Sequence, residues 1–155
     1  MTSFTEMYCC TICPRMCSVN RYGKTGVCGA SAEIRYNLSQ LHFGEEPPIS
    51  VTKGSGTIFF SHCNLKCVFC QNHSISFDGF GQDISIEELA SIMCGLQAQN
   101  AHNINLVSPT HYTPQIRESI ILAKAKGLHI PIVWNSSGYE KVDSLASLEG
   151  LIDIY

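Results

Sequence analysis

After Gly56 the chain alternates short β-branched or aromatic runs with longer amphipathic stretches, and this alternation limits the folds open to it. Thr57-Ile58-Phe59-Phe60 reads as a strand set off by the breaker Gly54-Ser55-Gly56. Ser85, with Glu88 three residues on, makes a capping box for a helix over 85–98. Ile86, Leu89, Ala90, Met93 and Leu96 form that helix's apolar stripe. Residues 103–107 read as a second strand. Thr113 then caps a helix that has Pro114 at its first position and ends at Gly127. A third strand over 129–134 is weakened by Pro131, a short helix covers 140–149, and a fourth strand starts at Leu151. Strands separated by helices of roughly ten to fifteen residues predict right-handed crossovers and a parallel sheet. The polar loops after the first three strands would then gather at the carboxyl edge, where such sheets bind ligands.

The first of those loops carries Cys63, Cys67 and Cys70 in a C-x3-C-x2-C spacing. Three thiols cannot all pair as disulfides, and three is one ligand short of a closed zinc site. A soft sulfur set with one ligand missing suits an iron–sulfur cluster whose last metal position stays open. A second group, Cys10, Cys13, Cys17 and Cys28, is surrounded by Gly23, Gly26 and Gly29, which let a loop turn tightly round a metal. These four could close a zinc site or hold a second cluster, with Cys9 as the spare. Cys94 reads as packing within its helix. Nine cysteines bunched in this way point to metal ligands in a reducing cytoplasm rather than a secreted disulfide framework. A net charge of −3 gives no basic footprint for nucleic acid, and no apolar run approaches membrane-spanning length. Glu45-Glu46-Pro47-Pro48 reads as a linker dividing a Cys-rich extension, 1–48, from a main domain, 49–155.

With Phe69 directly before Cys70, the triplet resembles the radical S-adenosylmethionine (SAM) signature, C-x3-C-x-aromatic-C. The stretches CTICPRMCSVNR, GSGTIFFSHCNLKCVFCQN, NINLVSPTHYTPQI and NSSGYEKVDSLASLEGLIDIY resemble the pyruvate formate-lyase activating enzyme-like branch of that superfamily. The resemblance implies an α/β fold, a partial (β/α) barrel of which this chain supplies three βα units plus a fourth strand, truncated before the rest. It also implies a 4Fe–4S cluster held by Cys63, Cys67 and Cys70, with SAM on the fourth iron. Reductive cleavage of SAM would give a 5′-deoxyadenosyl radical that abstracts hydrogen from substrate. A glycyl-radical enzyme would be the protein substrate, and a flavodoxin- or ferredoxin-like protein the electron donor.

Cofactor contacts are expected from Phe69, Asn72, Thr110, Asn135 and Ser136. Thr110 enters because Ser108-Pro109-Thr110 stands where many superfamily members carry a Gly-Gly-Glu-like stretch. His111 lies on the same face, whereas His62 and His73 read as hydrogen-bonded neighbours of the cluster loop. Two alternatives remain open: a radical SAM enzyme with another protein or small-molecule substrate, and a non-catalytic iron–sulfur or zinc-binding fragment. An uncovered last strand ending at Tyr155 would further predict association of the isolated chain.

Overall fold

One five-stranded sheet organises the computed structural model, which describes residues 3–155. Its strands are β1 (Ile34–His42), β2 (Ser55–Phe60), β3 (Gln82–Ile84), β4 (Ile104–Val107) and β5 (Ile132–Asn135), in the order β3-β1-β2-β4-β5. β2, β4 and β5 run parallel, as the alternation predicts. β1 runs antiparallel to both β2 and β3.

That last pairing overturns the expected partial (β/α) barrel. The expected partial barrel is built of parallel strands alone, whereas here antiparallel β1 pairs with β2 and carries β3 beyond it. The architecture is a mixed sheet of the α/β class. β1 comes from the stretch assigned to the Cys-rich extension, so the sheet crosses the linker at Glu45–Pro48. The expected fourth parallel strand is reduced to a single bridge, Val133 to Ile154, with the Trp134 N–H donating to the Ile154 carbonyl at 2.8 Å.

Two long helices, α4 (Ile86–Ala98) and α5 (Thr113–Ala125), cover one face of the sheet. The short helices are α1 (Thr5–Tyr8), α2 (Pro47–Ser50), α3 (His73–Ser76) and α6 (Val142–Ala146). α4 begins with the predicted capping box, Ser85 and Glu88 each accepting from the other's backbone N–H. In α5, Thr113 is the first helical residue rather than the cap, and its hydroxyl donates to the Thr110 carbonyl at 2.7 Å.

Strand alternation sorts the two faces of the sheet. Ile58, Phe60, Ile104, Leu106, Ile132 and Trp134 face the helices and pack with Leu89, Met93, Ile116 and Ile120. Each large apolar side chain buried there contributes roughly 1.5–3 kcal/mol. The opposite face is polar: Ser55, Thr57 and Asn105 are buried, and Ser55 donates to the Asn103 side chain at 2.7 Å. Among the described residues no helix is long and apolar enough to cross a membrane.

Gly81 fixes how β3 joins β1. A Cβ at this position would overlap the Tyr36 carbonyl oxygen and stand 2.6 Å from Ser61 Oγ, with φ at +153°. Gly81→Ala is therefore expected to lose on the order of 3 kcal/mol, read as a fall in Tm of roughly 6–12 °C. Gly95→Ala, in α4 with open space around it, should melt at or above the parent temperature. Equal melting of parent and Gly81→Ala would show that the contact relaxes freely.

Candidate functional site

The cysteine loop leaves β2 at Ser61 and is tied down on several sides. The Ser61 N–H donates to the Arg35 carbonyl at 2.8 Å, and its hydroxyl to the Phe80 carbonyl at 2.5 Å. The His62 N–H donates to the Ile75 carbonyl at 2.9 Å. His62 and Lys66 take positive φ of 70° and 55°, which turns the loop back on itself. Asn64 is buried within the loop and donates to the Tyr139 carbonyl at 2.8 Å. From the other side Arg15 grips the loop, Nε to the Asn64 carbonyl at 2.9 Å and Nη2 to the Leu65 carbonyl at 3.1 Å.

Cys63, Cys67 and Cys70 are free and half-buried on this loop. The Leu65 N–H points at Cys63 Sγ from 3.4 Å, and the Ser76 hydroxyl at Cys70 Sγ from 3.2 Å. The Cys70 N–H closes a turn onto the Cys67 carbonyl at 3.0 Å. Donors aimed at sulfur stabilise the thiolate form that ligates a metal. Among the described residues no group of three or more His, Cys, Asp or Glu side chains is arranged to hold a metal ion. The fit of this loop to an iron–sulfur cluster therefore rests on its donor set: three free thiols within eight residues, two of them already receiving hydrogen bonds.

The three polar loops meet at the carboxyl edge of the parallel strands. The Ser108 N–H donates to the Asn135 carbonyl at 2.9 Å, and His111 Nε2 to the Ser61 carbonyl at 2.8 Å. Thr110 donates to Glu140 Oε1 at 2.6 Å, and Trp134 Nε1 to the same oxygen at 3.2 Å. The other Glu140 oxygen, Oε2, is buried and has no partner among the described residues. In the sequence Glu140 reads only as the first residue of a helix. The signal that could have found it is an acid in the loop after a parallel strand, directly following Gly138-Tyr139.

The expected cofactor residues fall in three places. Phe69 is 84% exposed and Asn72 is also exposed, so both lie on the outer side of the cysteine loop. Thr110 is buried with its hydroxyl committed to Glu140. Asn135 and Ser136 line an open groove of about 290 Å³ with Asn105 and Trp134, and Asn105 Oδ1 is buried without a partner among the described residues. The five residues thus do not gather at one place on the edge.

The histidines separate as well. The His62 ring packs between Gly29 and Gly79, and burial, then the charges of Arg35 and Lys66, lower its pKa. His73 is exposed, stacks on Phe77 at 4.3 Å and stands 3.6 Å from the Asp78 carboxylate. His111 is fully buried, and desolvation pushes its pKa down to about 3. In the N-terminal group Cys10, Cys13 and Cys28 are buried and Cys17 is half-buried, while Cys9 is exposed. Cys94 packs within α4 with its thiol 3.9 Å from the Ala123 carbonyl.

No protein-family profile matches the chain. It is 35% identical over 153 residues to the uncharacterized protein MJ0674 of Methanocaldococcus jannaschii, an alignment covering 94% of this chain and 44% of that protein. The chain thus spans less than half the length of the curated relative it matches.

Proposed function

We propose that this chain carries the cluster loop of an iron–sulfur enzyme that cleaves SAM reductively, of the type that activates glycyl-radical enzymes. The observation that carries the reading is the Cys63–Cys70 loop: three free thiols after a parallel strand, hydrogen-bonded at sulfur and clamped by Arg15 and Asn64. Cys63, Cys67 and Cys70 would hold a 4Fe–4S cluster, which would supply the electron for reductive cleavage of SAM to methionine and a hydrogen-abstracting 5′-deoxyadenosyl radical.

The chain's own residues orient and bind. Cys63, Cys67 and Cys70 supply thiolates, and the Leu65 N–H and Ser76 hydroxyl steady two of those sulfurs. Glu140, fixed by Thr110 and Trp134, offers its free oxygen to a cationic group such as the SAM ammonium. Asn135 and Ser136, with the unpartnered Asn105 amide oxygen, supply polar contacts in the groove beside them. The hydrogen donor would be a glycyl-radical enzyme, and the reductant a flavodoxin- or ferredoxin-like protein.

The test is anaerobic reconstitution with iron and sulfide, followed by SAM and dithionite. Broad visible absorption and 5′-deoxyadenosine formation are the expected results. A fully loaded cluster that never cleaves SAM would leave an iron–sulfur protein without this activity and reject the reading.

A further inference from the structure

Arg21 is 1% exposed, yet among the described residues it forms no ion pair with a carboxylate. Its guanidinium donates to the Ser31 carbonyl from Nε at 3.1 Å and from Nη2 at 2.5 Å, and to the His111 carbonyl from Nη1 at 2.5 Å. It also lies 5.5 Å from the centre of the Tyr112 ring. A buried cation met only by neutral dipoles is costly, and such charges are ordinarily matched by an anion. What Arg21 touches besides these dipoles is sulfur: Nη1 stands 3.9 Å from Cys10 Sγ.

Cys10 is one of a group. Cys10, Cys13 and Cys28 are buried and Cys17 half-buried, and the Cys17 sulfur lies against Gly26, two residues before Cys28, where an added Cβ would stand 3.1 Å from it. Backbone N–H groups already point at two of the sulfurs, Val27 to Cys17 and Ala30 to Cys28, each at 3.4 Å. Backbone bonds from Cys10 N–H to the Val19 carbonyl and from Ser18 N–H to the Cys10 carbonyl, each 2.9 Å, hold the two arms of the loop together.

We propose that Cys10, Cys13, Cys17 and Cys28 bind one zinc ion as a closed tetrathiolate, with Arg21 as its buried counter-charge. Binding releases four thiol protons to solvent and leaves a unit of charge −2, of which Arg21 offsets one. The largely buried thiols suit a structural ion with no open position. Among the described residues the four sulfurs do not converge on a single point, and metal uptake pulls them together. The site also braces the second cysteine loop. Arg15, two residues after Cys13, holds the Asn64 and Leu65 carbonyls. None of this depends on what Cys63, Cys67 and Cys70 bind.

The test uses the full chain with Cys63, Cys67 and Cys70 all replaced by Ala, stripped of metal and titrated with cobalt(II), then zinc. One equivalent of cobalt with thiolate charge-transfer bands, displaced by zinc, is expected. Adding Cys13→Ser and Cys28→Ser should abolish uptake. Arg21→Met should weaken zinc binding about tenfold or more, while Arg21→Lys, which keeps the charge, should stay within a few fold of the parent. No cobalt uptake, or an iron–sulfur spectrum at these four cysteines instead, would overturn the zinc site. Unchanged zinc affinity in Arg21→Met, or equal losses in Arg21→Met and Arg21→Lys, would overturn the counter-charge.

Discussion

A Cys67→Ala protein reconstituted anaerobically is expected to lose most of its iron, with cluster absorption and SAM cleavage both falling by more than about tenfold. With three thiols available for a cluster, removing one leaves two, too few to fix its orientation. The loop itself should survive the change. Its turn is closed by the Cys67 carbonyl and the Cys70 N–H, both of which Ala retains. Its far end is held by Arg15 on the Asn64 and Leu65 carbonyls and by Asn64 on Tyr139, none of which uses the Cys67 sulfur. Cys67 is half-buried, so no large cavity opens. The apo variant should therefore melt within a degree or two of the apo parent, which separates ligand loss from unfolding. Full iron retention in Cys67→Ala would exclude the three-cysteine cluster.

Where local chemistry decides an element, the sequence was sufficient. Ser85 and Glu88 cap α4 as their spacing requires, and the β-branched and aromatic runs at 57–60 and 104–107 are strands with parallel partners. The meeting of the three polar loops followed from that direction alone. What stayed hidden was pairing between distant segments. β1 carries Arg35, Asn37, Ser39 and Gln40 among its apolar residues and is half-buried along most of its length, so it lacks clean alternation. Nothing in a strand's own residues states whether its neighbour will be parallel. The antiparallel pairing of β1, which displaced the barrel, was therefore not legible, nor was the three-residue β3 behind the turn at Gly79–Gly81.

The site shows the same division. The two sets of cysteines could be named from spacing, but their supports could not. Arg21 sits in the run Asn20-Arg21-Tyr22-Gly23-Lys24, and its partners are Ser31 and His111, the latter 90 residues away. Asn64, inside the motif, is a buried bridge to Tyr139 that the cysteine spacing does not reveal. Phe69, expected to contact a cofactor, is exposed beside Val68, which is 94% exposed. Exposure depends on what the rest of the fold brings near, and no local pattern carries that.

Acid should destabilise this protein through His111 more than through a typical surface histidine. The ring is fully buried behind β2 and hydrogen-bonded to the Ser61 carbonyl. A carbonyl can only accept, so Nε2 carries the proton and Nδ1 is the basic nitrogen, which is buried without a partner among the described residues. Protonating Nδ1 would place a charge in a dry site already close to Arg21 and His62, whose charges also oppose it. Desolvation is the largest cause, and it pushes the folded pKa down to about 3, from an unfolded value of about 6.5. Between those values the unfolded chain binds a proton that the folded chain refuses, so stability falls as pH drops from about 6.5 toward 3. Above about 6.5 both states are neutral and the group contributes no slope. Each pH unit of that window is worth about 1.4 kcal/mol, and the full descent approaches about 4–5 kcal/mol, a large share of the stability of a domain. Urea melts of the parent and His111→Gln across pH 3–8 isolate this proton from the carboxylates and His62, which titrate in both proteins. The parent should show the steeper loss of stability below pH 6.5, by close to one proton. Parallel pH profiles for the two proteins would mean that His111 accepts its proton within the fold and that the site is open to water.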